Sequence, residues 1–421
     1  MEMRLEDQLN HNPPHLMHID LNSCFATIEQ QANPLLRDKP MGVVPFMSPN
    51  AVIIAPSIEA KKLGIKTGFS LREARVLCKG FIAKLADPRK YRDVHIKFRN
   101  IFKDYTPNVY PKSIDEAILD FSNTRLIYGK RTLMDIGKEI KQRMKEDIGE
   151  WIVCSVGIST NLMLAKLAAS LHKPDGLDVI DHTNIFDIYK RITLTDFPGI
   201  AERYQSRLNV YRIFTPMQFL QTTKERLQKQ IFKSVVGGWW YTKLRGFESD
   251  PFEYERGSFG RQYAMKEATA DPAKLSAKLM KLCEGAGRKM RKAGYAAYGI
   301  RIVCLYTDHT LWHKGHKFHS EMYSLTELFQ KAQLMLNYQP QWKPVRMLSV
   351  TFFDIVPSNK SQLTLFDLYD TKQREISEVM DRVNDKYGEY TLIPSRMMNM
   401  QDEAVDRIPF GGTNFIEDLY T

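Results

Sequence analysis

His18-Ile19-Asp20-Leu21-Asn22-Ser23-Cys24-Phe25 is the stretch on which the fold turns. The apolar run from Leu16 to Ile19 reads as a short strand that delivers Asp20, and Ser23 through Ala32 carries apolar residues at helical spacing. A strand that presents a carboxylate at its end needs partners to make a site. Ser113-Ile114-Asp115-Glu116-Ala117 is the candidate, inside a Val109 to Phe121 segment that alternates as two strands meeting near Lys112-Ser113. Neighbouring side chains on a regular strand face opposite ways, so Asp115 and Glu116 can share a site only at a strand entry or bend. The Pro111-Lys112-Ser113 turn supplies one. Alone, an Asp-Glu pair is a weak signal and is more often a solvated turn. Two divalent cations roughly 4 Å apart, however, require clustered hard carboxylates of this kind.

Outward from these stretches the chain alternates strands and helices up to about Ile180. Gly42 to Pro56 reads as two short strands with a turn at Ser48-Pro49-Asn50, and Ser57 to Leu63 as a helix ended by Gly64. Pro88 to Tyr105 is a helix that stops before Pro107, and Leu126 to Met144 is a second amphipathic helix. Trp151 to Ile158 is β-rich and gives way at Ser159-Thr160-Asn161 to a helix, Leu162 to Leu171, with Thr160 or Asn161 as its cap. Met163 and other methionines at helical spacing read as core filler. Beyond Ile180 the composition turns helical. Leu194 to Ile200 followed by Ala201 to Leu208 suggests two short helices around Pro198-Gly199, like a helix-hairpin-helix whose turn amides meet a DNA phosphate. The usual second glycine is Ala201 here, which leaves plain helical packing as the alternative.

A chain of 421 residues, 43% of them hydrophobic, is long enough for three or four domains. Its formal net charge of +11 favours a polyanionic partner. Much of that charge sits in one place, because Gly257 to Phe318 holds twelve Lys or Arg against four acids, after a polar, acidic linker at Glu248 to Gly257. A solvated helix face is the plain explanation. Interleaving with Tyr295, Tyr298 and Tyr306 favours tracking of a phosphate backbone, with Arg261, Lys266, Arg288, Lys289, Arg291 and Lys292 as candidate contacts. Met1 to Pro14 lacks the charged start and apolar run of a secretory signal, and no stretch approaches a membrane span, so a cytoplasmic location without membrane partners is expected. Cys24, Cys78, Cys154, Cys283 and Cys304 contain no C-x-x-C pair and read as reduced packing residues. His309, His313, His316 and His319 lie close in sequence, but the interleaved Lys314 and Lys317 suit a hairpin facing DNA better than zinc.

The first two motifs, together with Val156-Gly157-Ile158-Ser159, Leu164-Ala165-Lys166 and Lys173-Pro174, resemble the Y-family lesion-bypass (DinB/UmuC-like) DNA polymerases. Order, spacing and identities agree across three separated motifs, and the similarity covers about Leu16 to Val356. The resemblance implies an α+β multidomain right hand: a ferredoxin-like palm (residues 1–30 and 88–180), small fingers (31–87), a helical thumb with the helix-hairpin-helix (181–247), a linker (248–256), an α/β little-finger domain (257–356), and a C-terminal tail (357–421). It implies template-directed extension of a primer by deoxynucleotides with two Mg2+ ions, held by Asp20, Asp115, Glu116 and the backbone carbonyl of Leu21. Phe25 stands where the family places a steric gate against the ribose 2′-hydroxyl, although an isolated Phe there would be a core aromatic. Lys173 matches the lysine that reaches the triphosphate, and alone would be an ordinary surface lysine.

The chain departs from the family at the nucleotide. Where many members carry tyrosine and arginine to grip the triphosphate, it has Ser57-Ile58-Glu59-Ala60-Lys61, so Lys61 replaces the fork, and Ser23 stands for a second tyrosine. This pattern is closer to the UmuC-like branch of Gram-positive bacteria and their mobile elements. Gln362-Leu363-Thr364-Leu365-Phe366 resembles the bacterial sliding-clamp-binding peptide, with Gln362, Leu363, Leu365 and Phe366 as its anchors, though an apolar pentad can also be a strand or a docked tail. Low fidelity, tolerance of damaged templates, no proofreading domain and action as a monomer are the further expectations. Two rivals follow from the residues: a DNA- and clamp-binding repair protein with impaired catalysis, and a nucleotide cyclase, which would need neither the basic segment nor the clamp peptide.

Overall fold

The computed structural model describes residues 4–252, 256–340, 343–358, 368–388 and 390–398, without the side chains of 125, 126, 266 and 368–370. Two compact units divide the chain near residue 253. In the first, β1 (Leu16–Leu21) runs into α1 (Cys24–Ala32), and an insert follows: β2 (Met41–Val44), β3 (Ala55–Pro56), α2 (Ile58–Lys62), α3 (Leu71–Leu77) and β4 (Ile82–Leu85). The chain then forms α4 (Pro88–Lys103), β5 (Val109–Pro111), β6 (Glu116–Asp120), α5 (Leu133–Asp147), β7 (Cys154–Ser159), α6 (Leu162–Leu171) and β8 (Leu177–Ile180).

The strands order as β5-β6-β1-β7-β8, so β1 lies at the centre. A central strand covered on both faces should be apolar almost throughout, and Leu16, Met17 and Ile19 are buried. Its antiparallel register sets Asp20 opposite Glu116 on one side and opposite Ser155 on the other. Gly157 lets α6 lie close on the sheet: a Cβ there would sit 2.1 Å from the Ala165 carbonyl oxygen and from the Ala169 nitrogen. Asn161 caps α6 by accepting from Leu164 N–H, as its sequence suggested.

The insert forms its own sheet, β3-β2-β4, over a small core that includes Val44, Ile53, Leu71 and Phe81. Ser57 caps α2, and Gly64 ends that segment at φ 84°. One helix differs from expectation. The helix read from Leu126 is a single 3-10 turn, Arg125–Tyr128, closed by Gly129 at φ 57°. A new helix, α5, begins only at Leu133, where Thr132 and Asp135 cap each other. Then α7 (Ile185–Arg191), α8 (Glu202–Val210), α9 (Pro216–Gln221) and α10 (Val236–Leu244) bury Tyr189, Phe197, Phe219 and Trp240 in a helical core.

In the second unit, β9 (Ser258–Thr269), α11 (Pro272–Lys292), β10 (Tyr295–Tyr306), β11 (Leu311–Met322), α12 (Leu325–Leu336) and β12 (Val345–Pro357) build a sheet ordered β11-β10-β12-β9. Along β10, Ile300, Ile302, Cys304 and Tyr306 are buried, whereas Arg301 is exposed and Val303 and Leu305 half-exposed, so one face is covered and the other bare. Part of the expected tail belongs to this unit: α13 (Leu368–Tyr387) docks beside α11 and α12. Arg291 forms a two-pronged pair with Asp381 at 2.6 and 2.9 Å, and Ser377 accepts from Leu325 N–H at 3.0 Å. All five cysteines are unpaired and only Cys78 is not buried. Among the described residues, no helix is long and apolar enough to cross a membrane.

Candidate active site

The carboxylates meet at one end of the first sheet. Asp20 stands one residue from the end of β1, and β6 begins at Glu116, so Asp115 belongs to the turn that enters the strand. This is the geometry an adjacent pair needs to serve one site. The turn is fixed from both sides: Leu21 N–H donates to the Asp115 carbonyl at 2.9 Å, and the Ser113 hydroxyl donates to the Asp115 carboxylate. Ser23, at φ 52°, then turns the backbone from β1 into α1. That turn brings Phe25 to the wall of a cavity shared with Asp20, Leu21, Lys61, Thr67 and Asp115.

Each carboxylate has its own electrostatic setting. Burial, and after it the charges of Asp20 and Glu116, push the Asp115 carboxyl above its usual range against the Ser113 hydrogen bond. Burial acts in the same direction on Glu116, but His18 and Lys166 overcome it and bring the group down to about 2. Lys166 Nζ lies 2.6 Å from Glu116, and His18 Nε2 approaches it at 3.4 Å, a Coulombic contact longer than a good hydrogen bond. Lys173 Nζ pairs with Asp20 at 2.9 Å. Lys61 is partly desolvated and faces Lys173, and these two causes lower its pKa.

Asp20 and Asp115 line one cavity, and Asp115 is pushed toward protonation by burial first and by the charges of Asp20 and Glu116 after it, a setting that a divalent cation relieves. Ligand atoms of His18, Asp20 and Glu116 come within 4.8 Å of one another. The residues present therefore fit hard divalent ions. Phe25, 3% exposed, is at once a core side chain and a cavity wall. Its ring stacks on Tyr91 with centroids 4.3 Å apart and planes 11° from parallel. The Tyr91 hydroxyl donates to Glu29 on α1 at 3.0 Å, and Lys90 holds the other Glu29 oxygen at 2.8 Å. Ser57, which opens the segment lacking the tyrosine hydroxyl, is consumed as a helix cap, accepting from Ala60 N–H at 3.2 Å.

His18, Asn22, Ser113 and Lys166 stand in the motifs without a ligand or binding role that the sequence assigns, and Tyr91 stands in none of them. Lys166 had a visible signal, as the one charged residue in the apolar helix LMLAKLAASL. Elsewhere in the first unit, Gly199 turns at φ 97° behind Pro198 with Trp240 beneath it, and Ala201 precedes α8 without supplying a side-chain cap. Backbone amides are thus presented there.

In the second unit, charge along the chain and position in the fold separate. Arg261 lies on the covered face, where its Nε would stand 2.8 Å from a Cβ on Gly285 of α11. Arg291 is committed to Asp381, Arg288 Nη1 lies 3.9 Å from Glu284, Lys289 is half-buried and Lys292 exposed. The bare face carries Arg301, with His313 and Lys317 at the same-face register positions of β11. His309 sits in the β10–β11 turn at φ 62°, and His316 faces opposite to His313. The Lys266 side chain and the segment Gln362, Leu363, Leu365 and Phe366 lie outside the described residues.

Two family models match the chain: the impB/mucB/samB family over residues 19–170, and its C-terminal domain over residues 256–365. A curated relative from Pelotomaculum thermopropionicum, called DNA polymerase IV, is 31% identical over 385 residues, covering 89% of this chain and 93% of the relative. One of the same name from Bacillus anthracis is 27% identical over 381 residues, covering 89% of this chain and 91% of its own. Among solved structures, a Y-family DNA polymerase chimera aligns with a TM-score of 0.71 at 25% identity, covering 81% of this chain and 99% of that one. An insertion ternary complex of Dbh DNA polymerase has the same fold, with a TM-score of 0.56 at 24% identity.

Proposed function

The chain belongs to the impB/mucB/samB family and is a DNA-directed DNA polymerase of the Y family, and from that premise we propose that it performs translesion synthesis with the cavity at Asp20, Asp115 and Glu116 as its active site. The observation that carries the assignment is that Asp20 and Asp115 line the cavity walled by Phe25 and Lys61, with Glu116 opposite Asp20 in the sheet and their ligand atoms within 4.8 Å. Asp20, Asp115, Glu116 and the Leu21 carbonyl would hold two Mg2+ ions. When bound, the ions supply charge neutralisation for the phosphoryl oxygens and acidify the attacking primer 3′-hydroxyl.

The protein's own groups do the rest. Lys61 and Lys173 place point charges beside the triphosphate, where a bidentate grip is missing. The pairing of Lys173 with Asp20 supports this role. Ser113 aims the Asp115 carboxylate, and Lys166 with His18 keeps Glu116 ionised and in place. Phe25 excludes a 2′-hydroxyl by contact. The small insert around β2 and α2 covers the nascent pair only partly, which supports low fidelity and tolerance of distorted templates.

The Pro198-Gly199 turn and the second unit's basic residues are assigned to the DNA backbone. Gln362 to Phe366 is assigned to the bacterial sliding clamp, and the enzyme is taken to act as a monomer in the cytoplasm. The impaired-repair-protein alternative is not favoured, because the carboxylate set is complete. Primer extension on damaged and undamaged templates tests the reading. Asp115→Ala should lower extension by more than about a thousandfold while DNA affinity stays within about twofold. Extension by this variant at the wild-type rate would remove Asp115 from the site.

A further inference from the structure

Asn22 follows Asp20 by two residues and takes no part in the chemistry assigned so far. It is 5% exposed, and its backbone N–H is used by the Val153 carbonyl at 2.8 Å. Its side chain reaches across to a distant turn. Oδ1 accepts from Asp175 N–H at 2.8 Å and from the Ser155 hydroxyl at 3.1 Å. The amide orientation is forced, since a backbone N–H can only donate. Ser155 Oγ in turn accepts from Gly176 N–H at 3.3 Å. The turn so held begins with Lys173, and Lys173 Nζ comes back to Asp20.

A closed ring results: Asp20, Leu21 and Asn22 along the backbone, a hydrogen bond to Asp175, Pro174 and Lys173 along the backbone, and the ion pair to Asp20. Lys141 and Lys145 also hold Asp175, at 3.0 and 3.1 Å, and the largely buried Lys141 donates to the Asp175 and Gly176 carbonyls as well, so both lysines tie the turn to α5. The buried Asn22 hydrogen bond is the link that joins the turn to the segment carrying Asp20. Asp175 has φ 63°, in the left-handed region that Asp enters more readily than most non-glycine residues.

We infer that Asn22 is a positioning residue that fixes Lys173 relative to the carboxylates, and so tunes deoxynucleotide affinity without touching the nucleotide. The inference rests on the assignment of Lys173 to the triphosphate. It distinguishes Asn22 from a residue of general structural use, because its effect must pass through Lys173.

Single-nucleotide insertion kinetics on Asn22→Ala, Asn22→Asp, Lys173→Ala and the Asn22→Ala/Lys173→Ala double variant decide the matter. Asn22→Ala should raise KM for the incoming deoxynucleotide about five- to tenfold, with kcat within about twofold. Asn22→Asp keeps the acceptor oxygen and should restore KM to within about threefold of wild type. Lys173→Ala should raise KM about ten- to a hundredfold, and the double variant should match it rather than multiply the two effects. An unchanged KM in Asn22→Ala, or effects that multiply, overturns the positioning role while the Lys173 assignment stands. A wild-type KM in Lys173→Ala removes that assignment and the inference with it. If Asn22→Ala melts without cooperativity, Ser155→Ala carries the same test, with a KM rise that vanishes in the Lys173→Ala background expected and an independent rise refuting.

Discussion

Replacing Tyr91 tests whether the sugar gate proposed at Phe25 is a property of that ring alone or of the stack beneath it. Tyr91 is 1% exposed and lies nearly parallel to Phe25, so the gate ring has a rigid aromatic floor. Such a pair is worth about 0.5–1.5 kcal/mol beyond its buried area. If that energy keeps Phe25 from retreating when a 2′-hydroxyl pushes on it, then Tyr91→Ala should lower discrimination against ribonucleotides by about two- to tenfold. Deleting the ring should also cost about 3–5 kcal/mol of stability, because it empties a buried site. Tyr91→Phe keeps the floor and loses only the hydroxyl's bond to Glu29, which Lys90 still pairs. It should retain wild-type discrimination and lose about 1 kcal/mol of stability. The assay is the ratio of kcat/KM for a deoxynucleotide to that for its ribonucleotide, measured below the melting transition of each variant. A folded Tyr91→Ala that discriminates as well as wild type would refute the reasoning. So would a Tyr91→Phe that loses the gate, since only the hydroxyl has changed.

Gly157→Ala should drive α6 off the sheet, because its new Cβ would meet backbone atoms at 2.1 Å rather than a movable side chain; a loss of about 3 kcal/mol or more is expected in denaturant titration, and an unchanged midpoint would refute the close approach. Arg291→Ala should destabilise the second unit by about 3–5 kcal/mol, because it strands Asp381. The same variant should leave the salt dependence of DNA binding unchanged, and a slope reduced by about one unit at unchanged stability would make Arg291 a phosphate contact instead. Replacing Gln362 and Phe366 together by alanine should abolish capture by a bacterial sliding clamp and leave clamp-free extension intact; retained capture removes the clamp assignment.

What could be read from sequence was what local chemistry dictates. The Pro111-Lys112-Ser113 turn was enough to predict that Asp115 and Glu116 stand at a strand entry, and β6 does begin between them. Asn161 announced the start of α6 by the same local logic. The helix expected from Leu126 failed for a local reason as well: Gly129 and the Thr132–Asp135 capping box outweighed a continuous amphipathic pattern. Pairings that close the site were hidden because they join residues far apart in the chain. Glu116 meets Lys166 and Asn22 meets Asp175 only once the register of β1 between β6 and β7 is set, and composition does not encode register. Charge alone does not tell which side chains face outward. A basic stretch says that a surface is positive, but which side of the sheet it decorates depends on what covers the other side. Here α11 turns Arg291 under α13, while Arg301, one residue among many in the same stretch, is left on the bare face by nothing more than its odd position along β10. If the bare face of this sheet is the DNA-binding one, contacts follow strand parity rather than charge density, and substitutions at Arg301 and Lys317 should weaken DNA binding more than substitutions at Arg288 or Arg291.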